Sequence, residues 1–159
     1  STTDPRTATV TLKTPGGKEV SVNCTQKKAS EAGVTEVVIV MSAQGFTNAG
    51  AVSSITSENI SITFEKGTNT ANGPKYYDRG EAVRCYGGNF FTIATSKDKI
   101  TSVDITFSTE EDGTNEITAD SGTYTAGSWS GSAASVKFTI EGTTGHRKIA
   151  KIVVITKAE

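Results

Sequence analysis

From Thr7 to Thr156 the apolar residues of this chain fall at every second position, in short runs broken by Gly, Asn, Asp and Ser. Ala8, Val10 and Leu12 alternate with Thr and Lys, and Val20, Val22 and Cys24 do the same after Pro15-Gly16-Gly17. Ile60, Ile62 and Phe64 repeat the pattern, as do Val103, Ile105 and Phe107, and Val136, Phe138 and Ile140. A period of two places one face of an extended strand against a core. No window shows the longer period of an amphipathic helix. Runs spaced roughly ten residues apart, with turn residues between them, predict an all-β domain, and the number of runs predicts about nine strands. The expected architecture is an antiparallel β-sandwich of jelly-roll type, with residues 1–159 in a single domain.

Individual runs refine this expectation. Thr7–Lys13 and Lys18–Cys24 read as a half-buried hairpin. Glu36–Met41, apolar from Val37 on, reads as a strand buried on both faces or a central one. The apolar run Ile152–Ile155 puts its strand in the middle of a sheet. Gln44–Ser54 reads as a compact turn or one turn of helix, Glu65–Lys75 as a polar loop, and Gly127–Gly131 (GSWSG) as a turn around the single tryptophan. Ser1–Arg6 reads as a flexible or docking arm, and Lys27–Gly33 as a short helix or loop.

Charge restricts the partners. Sixteen Lys and Arg stand against seventeen Asp and Glu, with a formal net charge of −1. A nucleic-acid binder needs a basic excess or stripe, so nucleic acid is not an expected partner. No apolar run approaches the length of a membrane-spanning helix. The composition, rich in Thr and Gly, suits an extracellular or cell-surface protein whose secretion signal has been removed. A virion component is the alternative.

Cys24 and Cys85 leave two readings open. A disulfide would close a loop of about 60 residues and contribute on the order of 4 kcal/mol. Otherwise both are small buried hydrophobes.

The stretch GPKYYDRGEAVRCYGGNFFTIAT, residues 73–95, carries three of the four tyrosines, together with Arg79 and Arg84. It reads as strand, tight turn and strand. Sugar recognition needs flat apolar faces for ring C–H groups and planar polar groups for hydroxyls. Tyrosine supplies the first at low entropic cost, and Arg and Asn supply the second. Tyr76, Tyr77, Asp78, Arg84, Tyr86 and Asn89 are therefore the candidate ligand-binding residues. The alternative is that these aromatics form core and cross-strand pairs. If Val83 and Cys85 face the core, Arg84 and Tyr86 share the opposite side. Trp129, between two Gly-Ser pairs, is either a sugar-stacking platform or a plug for one end of the sandwich.

Other chemistry has weak support. GSWSG differs from a nucleophile elbow, having Trp129 where the serine belongs. His146 reads as an exposed loop residue, and one histidine with two distant cysteines cannot make a zinc site. Glu110, Glu111, Asp112 and Glu116 are hard oxygen ligands suited to calcium, but without the alternation of an EF-hand loop they read first as a solvated turn.

Several of these segments resemble a family of jelly-roll-like β-sandwich domains found in surface lipoproteins and secreted enzymes of anaerobic gut bacteria. The resemblance is carried by QGFTNAGAV (44–52), ISITFEKGT (60–68), NGPKYYDRGEAVRCYGGNFFTI (72–93), KITSVDITFS (99–108), SGTYTAGSWSGSAASVKFT (121–139) and IAKIVVIT (149–156). Residues 7–43 match it less well. It implies a carbohydrate-binding or adhesion module without catalytic residues or a required cofactor, and with a glycan or cell-surface partner. An aliphatic residue usually stands in that family where this chain has Cys85, which implies a buried thiol there. A structural subunit of a fibre, pilus or virion surface is the second reading, and a polysaccharide hydrolase the third.

Overall fold

The computed structural model describes residues 6–26 and 33–158. The expected arm at Ser1–Arg6 lies outside the described residues except for Arg6, which opens the first strand, and the helix-or-loop reading of Lys27–Gly33 lies outside them except for Gly33, which is in a turn. The chain divides into two compact units, 1–34 and 35–159, a finer division than the one domain expected.

In the first unit, β1 (Arg6–Lys13) and β2 (Glu19–Gln26) form the anticipated antiparallel hairpin, with Val10 opposite Val22 and Leu12 opposite Val20. Its polar face is knit by Thr9–Asn23 and Thr11–Ser21 hydrogen bonds and by the Lys13–Glu19 ion pair. The expectation of half-burial fails. Val10, Leu12, Val20 and Val22 are 49–64% exposed, because a two-stranded ribbon has no second layer of its own to bury them.

The second unit is an antiparallel β-sandwich. One sheet runs β10 (Ile117–Ala119), β13 (Ser135–Ile140), β8 (Phe90–Thr95), β5 (Ile60–Glu65), β4 (Ser54–Ser57). The other runs β11 (Thr123–Thr125), β12 (Ser128–Ala133), β9 (Lys99–Phe107), β14 (His146–Lys157), β7 (Ala82–Tyr86), β6 (Lys75–Tyr77), and β3 (Val34–Val40) also pairs with β14. Among the described residues of both units, fourteen strands stand where about nine were expected. The surplus comes from short strands such as β4, β10 and β11, too brief to show a period. Between the sheets, Ile62, Phe91, Ile93 and Phe138 of one meet Val83, Val103, Trp129 and Val154 of the other. Phe91 stacks on Phe138 at 5.1 Å between ring centroids. Each such side chain contributes about 1.5–3 kcal/mol on burial.

Two further expectations are corrected. β3 is buried on one face only: Val37 and Ile39 are inside, while Val38 and Val40 are exposed. GSWSG is not a turn but the start of β12, which pairs with both β11 and β9. β14 is central as expected, lying between β9 and β7. Cys85 is buried and free, and the side chain of Cys24 lies outside the described residues.

Candidate functional site

β6, β7 and the start of β14 build the site. In register, Tyr77 faces Ala82, Arg84 lies between Lys75 and Lys148, and Tyr86 faces His146. Val83 and Cys85 point into the core, so Arg84 and Tyr86 share the opposite face, as their spacing implied. The Arg84 guanidinium lies over the Tyr77 ring, 4.6 Å from its centroid. The Tyr77 and Tyr86 hydroxyls are 3.2 Å apart. Burial, together with the hydrogen bond to Tyr77, raises the Tyr86 pKa above its ordinary value. Its phenol is neutral at physiological pH.

Tyr86 lines a cleft of about 480 Å³. Two loops wall it. The β5–β6 loop contributes Thr68, Asn69 and Asn72, and the β13–β14 turn contributes Thr143 and Thr144. Asn89, fully buried beneath the first loop, explains the loop's shape. Its Nδ2 donates to the Lys66 and Asn72 carbonyls at 2.8 and 2.9 Å, and its Oδ1 accepts from the Tyr86 backbone N–H at 2.8 Å. Asn69 adds a bond from its Nδ2 to the Gly87 carbonyl at 2.7 Å. The second wall rests on Gly87, where a Cβ would come within 2.6 Å of the Thr144 carbonyl oxygen. Only glycine permits that approach.

The acidic loop after β9 is exposed at Glu110, Glu111 and Glu116, as a solvated turn would be, but Glu111 and Asp112 are tied to cations. Glu111 accepts from Lys148 Nζ at 3.3 Å, pairs with Arg79 at 2.9 Å and reaches Arg84 at 3.5 Å. Asp112 receives the Arg147 guanidinium at 2.9 Å and the Lys148 backbone N–H at 2.6 Å. Lys148, whose side chain is 1% exposed, also donates to the Arg79 and Glu110 carbonyls. These carboxylates are directed at separate cations, and among the described residues no group of three or more His, Cys, Asp or Glu is arranged to hold a metal ion. The hydrogen bond from Lys148, reinforced by the charge of Arg79, holds the Glu111 pKa below its ordinary value. His146 is not a loop residue. It opens β14, with Nε2 2.9 Å from the Glu111 carbonyl oxygen.

The seven residues singled out in the sequence thus separate. Tyr77, Arg84 and Tyr86 form one half-buried cluster. Asp78 is exposed and lines a different open hollow, beside Gly80, Ser108 and Lys151. Tyr76 is 5% exposed and packs on Phe46, with 5.7 Å between ring centroids, so it belongs to the core rather than to a ligand surface. Asn89 supports the cleft from beneath and is not available to a ligand. Trp129, 1% exposed, plugs the sandwich, with Nε1 donating to the Ser121 carbonyl at 2.5 Å. A Cβ at Gly131 would sit 2.5 Å from the Trp129 ring, which explains that glycine of GSWSG. The cleft-lining threonines and asparagines were missed. Their signal was the Asn- and Thr-rich composition of 65–75, read only as a loop.

The chain matches no family model, no curated protein and no solved structure. Among the described residues, no helix is long and apolar enough to cross a membrane.

Proposed function

We propose that the chain is a non-catalytic extracellular binding module that recognises carbohydrate through the Tyr86 cleft. One observation carries this reading. A half-buried tyrosine, fixed by its neighbours, lines a cleft of ligand size whose other named walls are hydroxyl and amide side chains. Tyrosine offers a ring face to sugar C–H groups, while Thr68, Thr143 and Thr144 offer partners to sugar hydroxyls. Because Asn89 and Gly87 pre-shape both walls, little ordering cost remains for binding. Affinity per site is expected to be weak and raised by multivalent display.

The test is a glycan array probed with native protein and with Tyr86→Ala, Thr144→Val and, as a distant control, Lys137→Ala. Glycans retained by the native and Lys137→Ala proteins but lost by the other two, at unchanged melting temperature, support the reading. Equal retention by all four, or none by the native chain, overturns it.

The hairpin favours a second reading, a structural subunit of an assembly. Its four large aliphatic side chains stand on one exposed face. Sedimentation of native protein against Val10→Thr/Val22→Thr decides this. An assembly dissolved by the double substitution supports it, and a native monomer at all concentrations excludes it.

A further inference from the structure

The β13–β14 turn that walls the Tyr86 cleft also stands against a second cleft. Asn115 lines that second cleft, of about 350 Å³, and its Nδ2 donates to the carbonyls of Glu141 and Thr144 at 2.7 Å each. Thr144 and Gly145 line the first cleft, and a Cβ at Gly145 would collide with the Asn115 side chain. One contact, Asn115 on Thr144 and Gly145, therefore separates two hollows.

The second shares with the first a tyrosine ring beside hydroxyl and amide groups, and adds the charged Glu116 and Arg147. Tyr124 and Phe107 supply rings, and Thr125, Asn115 and Glu116 supply polar groups. Its one guanidinium is immobilised: Arg147 lies 3.6 Å from the Phe107 centroid, pairs with Asp112, and donates from Nη1 to the Asn115 carbonyl at 3.2 Å. Tyr124 is held edge-on to Phe138 at 5.6 Å. Two clefts of like chemistry, one backbone turn apart, match a ligand that repeats along its own length.

We infer that the ligand is a linear glycan chain rather than a single sugar or a chain end. It crosses the turn at Thr143–Gly145, with one unit against Tyr86 and a later one against Tyr124. This rests on the carbohydrate reading of the Tyr86 cleft and adds a second contact to it. A chain that occupies both clefts gains because its second contact is intramolecular.

The experiment is a titration of the native chain, by amide chemical shifts, with cello-, xylo- and manno-oligosaccharides from mono- to hexasaccharide. In the series that binds, affinity is expected to rise at least about tenfold from disaccharide to hexasaccharide. Short members should shift amides of residues 68–72 and 143–145, and long members should also shift Glu116, Thr125 and Ala126. Tyr124→Ala should abolish the gain with length, and shift mapping on the native protein reports independently should that variant fold poorly. Affinity independent of length, with shifts confined to the first cleft, overturns the inference and leaves the carbohydrate reading standing. No shift with any sugar overturns both.

Discussion

The Glu111 carboxylate lies 3.3 Å from the ammonium of Lys148, whose side chain is 1% exposed. This pair fastens the acidic loop after β9 to the sheet beside the Tyr77–Arg84–Tyr86 cluster. The folded-state pKa of Glu111 is depressed, so its contribution to stability is fully present above the ordinary glutamate range and lost as pH falls through the folded value. The melting temperature of native protein should therefore exceed that of Glu111→Gln by a constant margin near neutral pH. That margin should shrink as pH drops below the ordinary value of 4.5. A margin independent of pH would contradict the pairing.

Lys148→Met keeps the stem and removes the ammonium. The Arg79 carbonyl then loses its ammonium donor, while the Glu110 carbonyl keeps the hydroxyl of Ser108. Urea unfolding should show a loss of about 1–3 kcal/mol, the worth of hydrogen bonds made by a charged group. Unchanged stability would mean that water replaces the ammonium.

Asn89→Ala removes both donors that shape the 66–72 loop and the acceptor for the Tyr86 N–H. Stability should fall by about 2–3 kcal/mol. Glycan binding should fall further than stability explains, because one wall of the cleft is no longer fixed. Asn89→Asp keeps the acceptor but sets a buried carboxylate oxygen against the Lys66 and Asn72 carbonyls, so at neutral pH it should restore neither quantity.

Trp129 should fluoresce at short wavelength, resist acrylamide quenching, and stay unchanged on addition of any glycan, since it lies inside the sandwich. Trp129→Ala should cost about 3–5 kcal/mol. A glycan-dependent emission shift would place the ring in contact with ligand, against its burial.

The buried Cys85 thiol has its pKa raised by desolvation. It should react with a disulfide reagent only after unfolding, since the thiolate is the reactive form. Rapid reaction of Cys85 in the native protein would contradict its placement in the core.

The parts of the fold legible in the sequence were those governed by a period of two. The β1–β2 hairpin, β5, β9, β13 and the opposite orientations of Val83/Cys85 and Arg84/Tyr86 all followed from alternation. Burial of individual rings was not legible, because an aromatic at a strand position is compatible with either face. Tyr76 and Tyr77 are adjacent and alike, yet the first packs on Phe46 while the second stacks under Arg84. Trp129 looked like a turn residue because glycine and serine surround it. The structure shows that Gly131 is small to make room for the indole. Roles set by distant partners were also hidden. Asn89 answers to Lys66 and Asn72, and Glu111 to Lys148, across sequence separations that no local pattern encodes.

β14 has a consequence for how the molecule is made. It supplies the hydrogen-bonding neighbour for β3, β7 and β9, all of which precede it. Until residues 146–157 have left the ribosome, β6 with β7 and β9 with β12 form separate pairs, and nothing joins the two. The larger sheet therefore closes late, through pairings of high contact order that slow folding.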